Sequence, residues 1–276
     1  MRIRVKIFTE ITMMLILSLM SGCSSGFSLE SSDAAIGIII DNSADKTYKT
    51  PTNTPHASSV PIETKKGDAV SYSAGIPKPD GYTSILVNLD NQLNEDFIPN
   101  NLSRIRNYIN PELLTLRNED EIANREAVEA LKDMLTEARL DGITGFYLED
   151  AYRTYHEQLV LWEIKQRESP GYGSDRSVPL STAYPRASEH LTGLAFDLGA
   201  CGSGVIRDFN SEQGRWLISN AHRFGFIHRY PDGKAYITGI IFEPWHFRYV
   251  GEDIAAYIYE NRLTLEEYYL RLKTAD

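Results

Sequence analysis

The chain has 276 residues, of which 42% are hydrophobic and 24% charged, and its formal net charge is -10. A chain of that length can bury one sizeable core or two smaller ones. Its 28 basic residues against 38 acidic ones argue against a nucleic-acid partner, whose phosphates demand clustered Lys and Arg, and leave uncharged or zwitterionic peptides open.

In chain order, Arg2, Arg4 and Lys6 form a positive start, followed by an apolar run from Ile11 to Met20. That run is too short to cross a bilayer, which takes about 20 apolar residues, and reads as a secretory signal. Small residues precede a cysteine in Leu19-Met20-Ser21-Gly22-Cys23, a pattern that resembles a bacterial lipoprotein box. Residues 1–22 are therefore expected to be a lipoprotein signal peptide, and Cys23 the lipidated residue. Acyl chains there would anchor the protein on the outer face of the bacterial cell membrane. Residues 23–80, rich in Ser, Thr and Pro, lack sustained periodicity and read as a flexible tether. With Cys23 lipidated, Cys201 has no partner for an intrachain disulfide, and it reads as a small residue in a Gly-rich turn.

The ordered domain is expected over 81–276. Ser84–Leu89 reads as a short strand. From Asn124 to Leu140, apolar residues at 127, 128, 131, 134, 135 and 138 have helical spacing, and Gly142 is placed to end the helix. Ile143–Leu148 reads as a strand. A second helix opens at Thr154, with Glu157 in capping-box position, and runs to about Gln166. A Pro- and Gly-bearing loop follows, then a helix from Glu212 to Arg223. Strands are expected at Phe226–Tyr230, Ala235–Phe242 and His246–Val250, the first two joined by the turn Pro231-Asp232-Gly233. The last helix opens at Thr264, with Glu267 in capping-box position. Intermixed helices and closely spaced late strands favour an α+β fold with a small antiparallel sheet.

Three blocks carry chemistry: YRTYHEQ (152–158), SEHLTGLAFDLG (188–199) and EPWHFRYVG (243–251). Catalytic zinc sites use three ligands drawn from His, Asp, Glu or Cys and keep one position open. His190, Asp197 and His246 supply such a set. Glu243 lies three residues from His246, close enough to serve the same site as a base. Pro244 biases Glu243 toward extended backbone, so the pair belongs at a strand end or turn rather than on a helix. On spacing alone, each lone His or Glu is more often structural or solvated.

The three blocks, together with LVNLDNQLNEDFIP (86–99) and GFIHRYPDGKAYITGIIFEPWHFRYVG (225–251), resemble the VanY-type D-alanyl-D-alanine carboxypeptidases. The resemblance covers about residues 84 to 253. It implies the Hedgehog/DD-peptidase fold, Zn2+ held by His190, Asp197 and His246, and Glu243 as general base and later proton donor. It implies Arg153 facing the substrate, with Gln158 and Ser188 as substrate-side hydrogen-bonding groups. The substrate implied is a peptidoglycan stem peptide, and the default state a monomer. Thr154 stands where the family has Ser. Arg186 follows Pro185 where the family often has Gly, which bears on fine specificity. Cleavage of an L,D bond in tetrapeptide stems, and a non-catalytic wall-binding lipoprotein, are the alternatives. Trp245 is expected to pack beneath the metal site. His56, His156, His222 and His228 are not expected to be ligands, and Tyr257, Tyr259, Tyr268 and Tyr269 read as helix-packing residues.

Overall fold

The computed structural model describes residues 75–79, 81–94 and 96–275. The expected signal peptide, Cys23 and all but the end of the tether lie outside them. The described strands are β1 (Leu102–Arg104), β2 (Leu114–Leu116), β3 (Ile122–Asn124), β4 (Phe146–Asp150), β5 (Ala195–Ala200), β6 (Gly204–Val205), β7 (Phe226–His228) and β8 (His246–Tyr249). The α-helices are α1 (Arg125–Leu140), α2 (Tyr155–Glu168), α3 (Glu212–Asn220), α4 (Ala235–Thr238), α5 (Glu252–Asn261) and α6 (Leu265–Ala275). β1 pairs with β3, while a larger sheet runs β2-β4-β5-β8-β7, with β6 on β5.

α1 forms where the spacing predicts. Asn124 caps it by accepting the backbone N–H groups of Glu126 and Ala127, satisfying donors with no partner inside the helix. Its six predicted apolar positions are all buried. They share one core cluster with Phe146, Leu148, Phe196, Leu198, Phe247 and Tyr249, the inward residues of β4, β5 and β8. Burial of each such large side chain contributes about 1.5–3 kcal/mol. α2 carries the predicted capping box: Glu157 N donates to Thr154 Oγ1, and Thr154 N to Glu157 Oε2. The reciprocal bonds recur at Thr264 and Glu267 ahead of α6. α5 and α6 form a second cluster with Ile227 and Val250, in which Tyr268 is fully buried.

Three expectations are corrected. Ser84–Leu89 is not a strand; the carbonyls of Thr83 and Ile85 accept hydrogen bonds from the Arg248 guanidinium, so that backbone is satisfied without a ladder partner. Ala235–Phe242 does not run as a strand, because it opens with the short helix α4, closed by Gly239 in left-handed conformation; Tyr236, Ile237 and Ile241 are exposed, so no sheet face selects the extended form along the stretch. The larger sheet is not wholly antiparallel, since β2 pairs with β4 in parallel.

A candidate metal centre in the sheet cleft

Two strands build the centre. In β5, Phe196 and Leu198 enter the core, so Asp197 faces the other way; in β8, Phe247 and Tyr249 do the same for His246. This follows from the two-residue alternation of a strand. The strands pair antiparallel with Asp197 directly opposite His246, which brings their side chains together without any long-range coincidence.

His190 arrives from a 3-10 turn, Glu189–Thr192, closed by Gly193 at φ 68°. A Cβ on Gly193 would sit 2.8 Å from Leu102 Cδ2 and 3.0 Å from Asn124 N, so the glycine of this block is needed for both conformation and space. His190 Nδ1 lies 2.6 Å from Ala151 O. A carbonyl only accepts, so Nδ1 carries the proton and Nε2 offers a lone pair. That Nε2 is 3.5 Å from Asp197 Oδ2. His246 Nδ1 lies 3.0 Å from Asp197 Oδ1 and 3.8 Å from Glu243 Oε2.

The donor set fits a divalent metal. One ligand atom from each of His190, Asp197 and His246 falls within 4.8 Å of the others. Asp197 Oδ1 is buried and has no hydrogen-bond partner despite its nearness to His246. A buried carboxylate oxygen left unpaired is costly, and a coordinated cation answers that cost. The electrostatics agree. Burial would raise Asp197, yet the two imidazoles hold it well below the usual carboxylate range. Burial would lower His246, but Asp197 and Glu189 overturn this and lift it to about 9. The cluster therefore draws positive charge to its centre.

Glu243 reaches the same centre through a turn. His246 N donates to Glu243 O at 3.2 Å, closing a four-residue β-turn with Pro244 in its second position, where a fixed φ is favoured. His228 Nε2, 3.1 Å from the same oxygen, braces it from β7. Burial lifts the Glu243 carboxyl to about 8, with His246 and Arg153 opposing and Asp197 adding to the rise.

Arg153 follows β4 and precedes α2, its backbone N bonded to His190 O at 3.2 Å. Nε and Nη2 donate to Asp150 Oδ2, and Nη1 donates to Gln158 Oε1. Of five N–H groups, three are thus held by protein and two remain. Gln158 is buried, and its Nε2 donates to Ala183 O at 2.8 Å; its amide braces Arg153 against the 181–183 segment. Ser188, Arg153, Gln158, Glu243 and Trp245 all line the cleft that holds the cluster. Trp245 is half-buried on that cleft rather than packed beneath it. His156 is exposed, and His222 stacks on Tyr259 at 3.6 Å, away from the centre.

Sequence reasoning passed over Glu189, Arg229 and Arg248. Their side chains are wholly enclosed and joined in ion pairs, with Glu189 also 3.4 Å from His246 Nε2. Glu189 stood inside a block already singled out, and its place beside His190 was the available signal.

Comparison with known proteins places this architecture. The family model described as "VanY: D-alanyl-D-alanine carboxypeptidase" matches residues 120–252. A D-alanyl-D-alanine carboxypeptidase of Enterococcus faecalis is 39% identical over 159 residues, covering 54% of this chain and 58% of that protein. A variant of the vancomycin-resistance D,D-pentapeptidase VanY, solved in complex with Zn(II), is 34% identical, with 68% of this chain and 98% of that one covered and a TM-score of 0.53. The chain belongs to the VanY-type D-alanyl-D-alanine carboxypeptidase family. A second solved structure, the LD-carboxypeptidase LdcB, is 32% identical, covering 71% of this chain and 92% of that one, with a TM-score of 0.59. These neighbours bear out the α+β Hedgehog/DD-peptidase-like expectation. The chain spans between 45% and 65% of the length of the curated relatives it matches.

Proposed function

We propose that this chain is a zinc-dependent carboxypeptidase that removes the C-terminal D-alanine from D-alanyl-D-alanine stem peptides of peptidoglycan. The observation that carries the reading is the meeting, in one cleft, of the His190–Asp197–His246 cluster with a carboxylate, Glu243, and a cation, Arg153. Zinc bound by the three residues would supply Lewis acidity, acidifying water and polarising the scissile carbonyl. The Zn(II) complex of the related VanY structure supports the choice of metal.

The chain's own residues do the rest. Glu243 Oε2 lies outside the ligand set but beside it, so it takes the proton of the attacking water and returns it to the departing amine of D-alanine. The two uncommitted N–H groups of Arg153 stabilise the oxyanion that develops on the carbonyl. Asp150 and Gln158 keep that guanidinium from turning. Ser188, buried on the cleft, offers a hydroxyl to the peptide. The likeness to LdcB favours a second reading, in which the bond cut is the L,D bond of a tetrapeptide stem with the same residues in the same roles.

The test is mass spectrometry of pentapeptide and tetrapeptide stems incubated with the full chain, with and without chelator. Loss of one D-alanine from the pentapeptide, abolished by chelator and restored by zinc, is expected. Loss only from the tetrapeptide selects the second reading. Zinc uptake without release of D-alanine from either stem would leave only a wall-binding lipoprotein. The lipoprotein box at Cys23 supports anchoring of a monomer on the outer face of the membrane; labelled fatty acid should enter the wild type and not Cys23→Ala.

A further inference from the structure

Glu189 stands one residue before His190, and its side chain is completely enclosed. Burying a carboxylate is costly unless it is well paired. Its two oxygens are committed in opposite directions. Oε1 accepts from Arg229 Nε at 2.7 Å and lies 2.9 Å from Arg248 Nη1. Oε2 lies 3.4 Å from His246 Nε2. The two arginines come from separate places and are themselves tied down. Arg229, just past β7, gives its terminal nitrogens to both oxygens of Glu266 on α6, at 2.9 and 2.6 Å. Arg248 shares a face of β8 with His246 and spends Nη2 on Thr83 O and Ile85 O. Two carboxylates and two guanidiniums balance in charge, and none can turn without unpairing another.

A carboxylate clamped in this way only accepts hydrogen bonds. The nitrogen of His246 that faces it must therefore be the protonated one. Nδ1 also faces a carboxylate, Asp197 Oδ1 at 3.0 Å, so its lone pair becomes available only when a cation seated on the side of Asp197 and Glu243 displaces its proton, while Nε2 keeps its own toward Glu189. We propose that Glu189, held by Arg229 and Arg248, is a positioning residue: it keeps the proton of His246 on Nε2 and so dedicates Nδ1 to the divalent ion. One 3-10 turn then supplies a ligand, His190, and the outer partner of a second ligand, Glu189. The inference rests on the zinc reading above and adds to it which ring nitrogen binds and what selects it.

Glu189→Gln separates this role from a merely structural one. Its single carbonyl oxygen goes to the two arginines, so its NH2 faces Nε2. An amide nitrogen donates, which moves the ring proton to Nδ1, the position the ion needs. Zinc affinity, read by competition with a chromophoric chelator, is expected to fall about 10- to 100-fold in a protein that still shows folded circular dichroism. A folded variant binding zinc within twofold of wild type overturns the proposal, even if its melting temperature drops.

The wild type supplies a readout that needs no variant. In zinc-loaded, 15N-histidine-labelled protein, His246 should show a slowly exchanging proton on Nε2. A proton on Nδ1 with zinc bound overturns the proposal and leaves the zinc reading intact. A wild type that takes up no zinc removes both.

Discussion

The floor of the cleft and its α2 wall are built on opposite principles. The floor is two paired strands whose reactive side chains are buried and held by buried ions. The wall is a helix whose cleft face carries Leu161 and Ile164, still 39% and 37% exposed, and ends in the surface pair Lys165–Glu168 at 3.1 Å. Exposed pairs of that kind contribute about 0–1 kcal/mol. The floor thus has little freedom and sets the chemistry. The wall, about 15 Å long from Gln158 to Glu168 at 1.5 Å per residue, can change its residues with little cost to the fold and, on the proposed function, would set what peptide lies along it.

Substitutions on the two surfaces should differ in kind as well as size. Glu243→Gln is expected to bind zinc like the wild type and to lose about 100- to 10,000-fold in kcat; turnover at the wild-type rate would remove Glu243 from its role. Arg153→Ala, at the junction of floor and wall, should lose about 100- to 1,000-fold in kcat, with zinc content unchanged by metal analysis. Leu161→Asn, on the wall, should raise KM by about tenfold and leave kcat alone, the low end of the range for losing one apolar contact because the side chain is partly exposed. A wall variant that matched Arg153→Ala in kcat would break the comparison.

The smallest expected effect concerns stability and pH. Burial and the charge of Asp150 raise Glu121 from 4.5 to about 7, with Arg153 opposing. A carboxyl whose folded pKa is raised stabilises the fold below its unfolded value, and that contribution is lost as pH climbs through the folded value. Stability should therefore fall between about pH 5 and pH 8. Glu121→Gln should flatten the fall by on the order of 1 kcal/mol, discounted for the partial exposure of the side chain. Thermal melts of both proteins at the two pH values check this, and a parallel fall in the variant would show that another group is responsible.

Much of the frame was legible in the residues. The apolar face of α1 and the capping boxes at Thr154 and Thr264 are local patterns, with physics contained within a turn or two. The ligand set was legible only through the family resemblance; that Asp197 and His246 meet comes from the pairing of β5 with β8, and β5 itself was not anticipated. Apart from the short helix α4, which Gly239 closes locally, the failures were tertiary. The parallel β2–β4 pair depends on chain path, and the backbone at 83–85 is satisfied by a side chain more than 160 residues away. Arg229 and Arg248 look like ordinary surface cations in sequence, since a buried charge is defined by partners that spacing does not reveal.

The reach of Arg248 has a practical consequence for dividing the protein. The stretch that matches the family model, 120–252, contains Arg229 and Arg248 but lacks Thr83, Ile85 and Glu266, which neutralise or solvate them. Trimmed to that footprint, the chain would carry two guanidiniums into its interior with half their partners cut away. The smallest autonomous piece must begin upstream of Thr83 and run through α6, so an expression clone designed on family likeness alone should yield insoluble material.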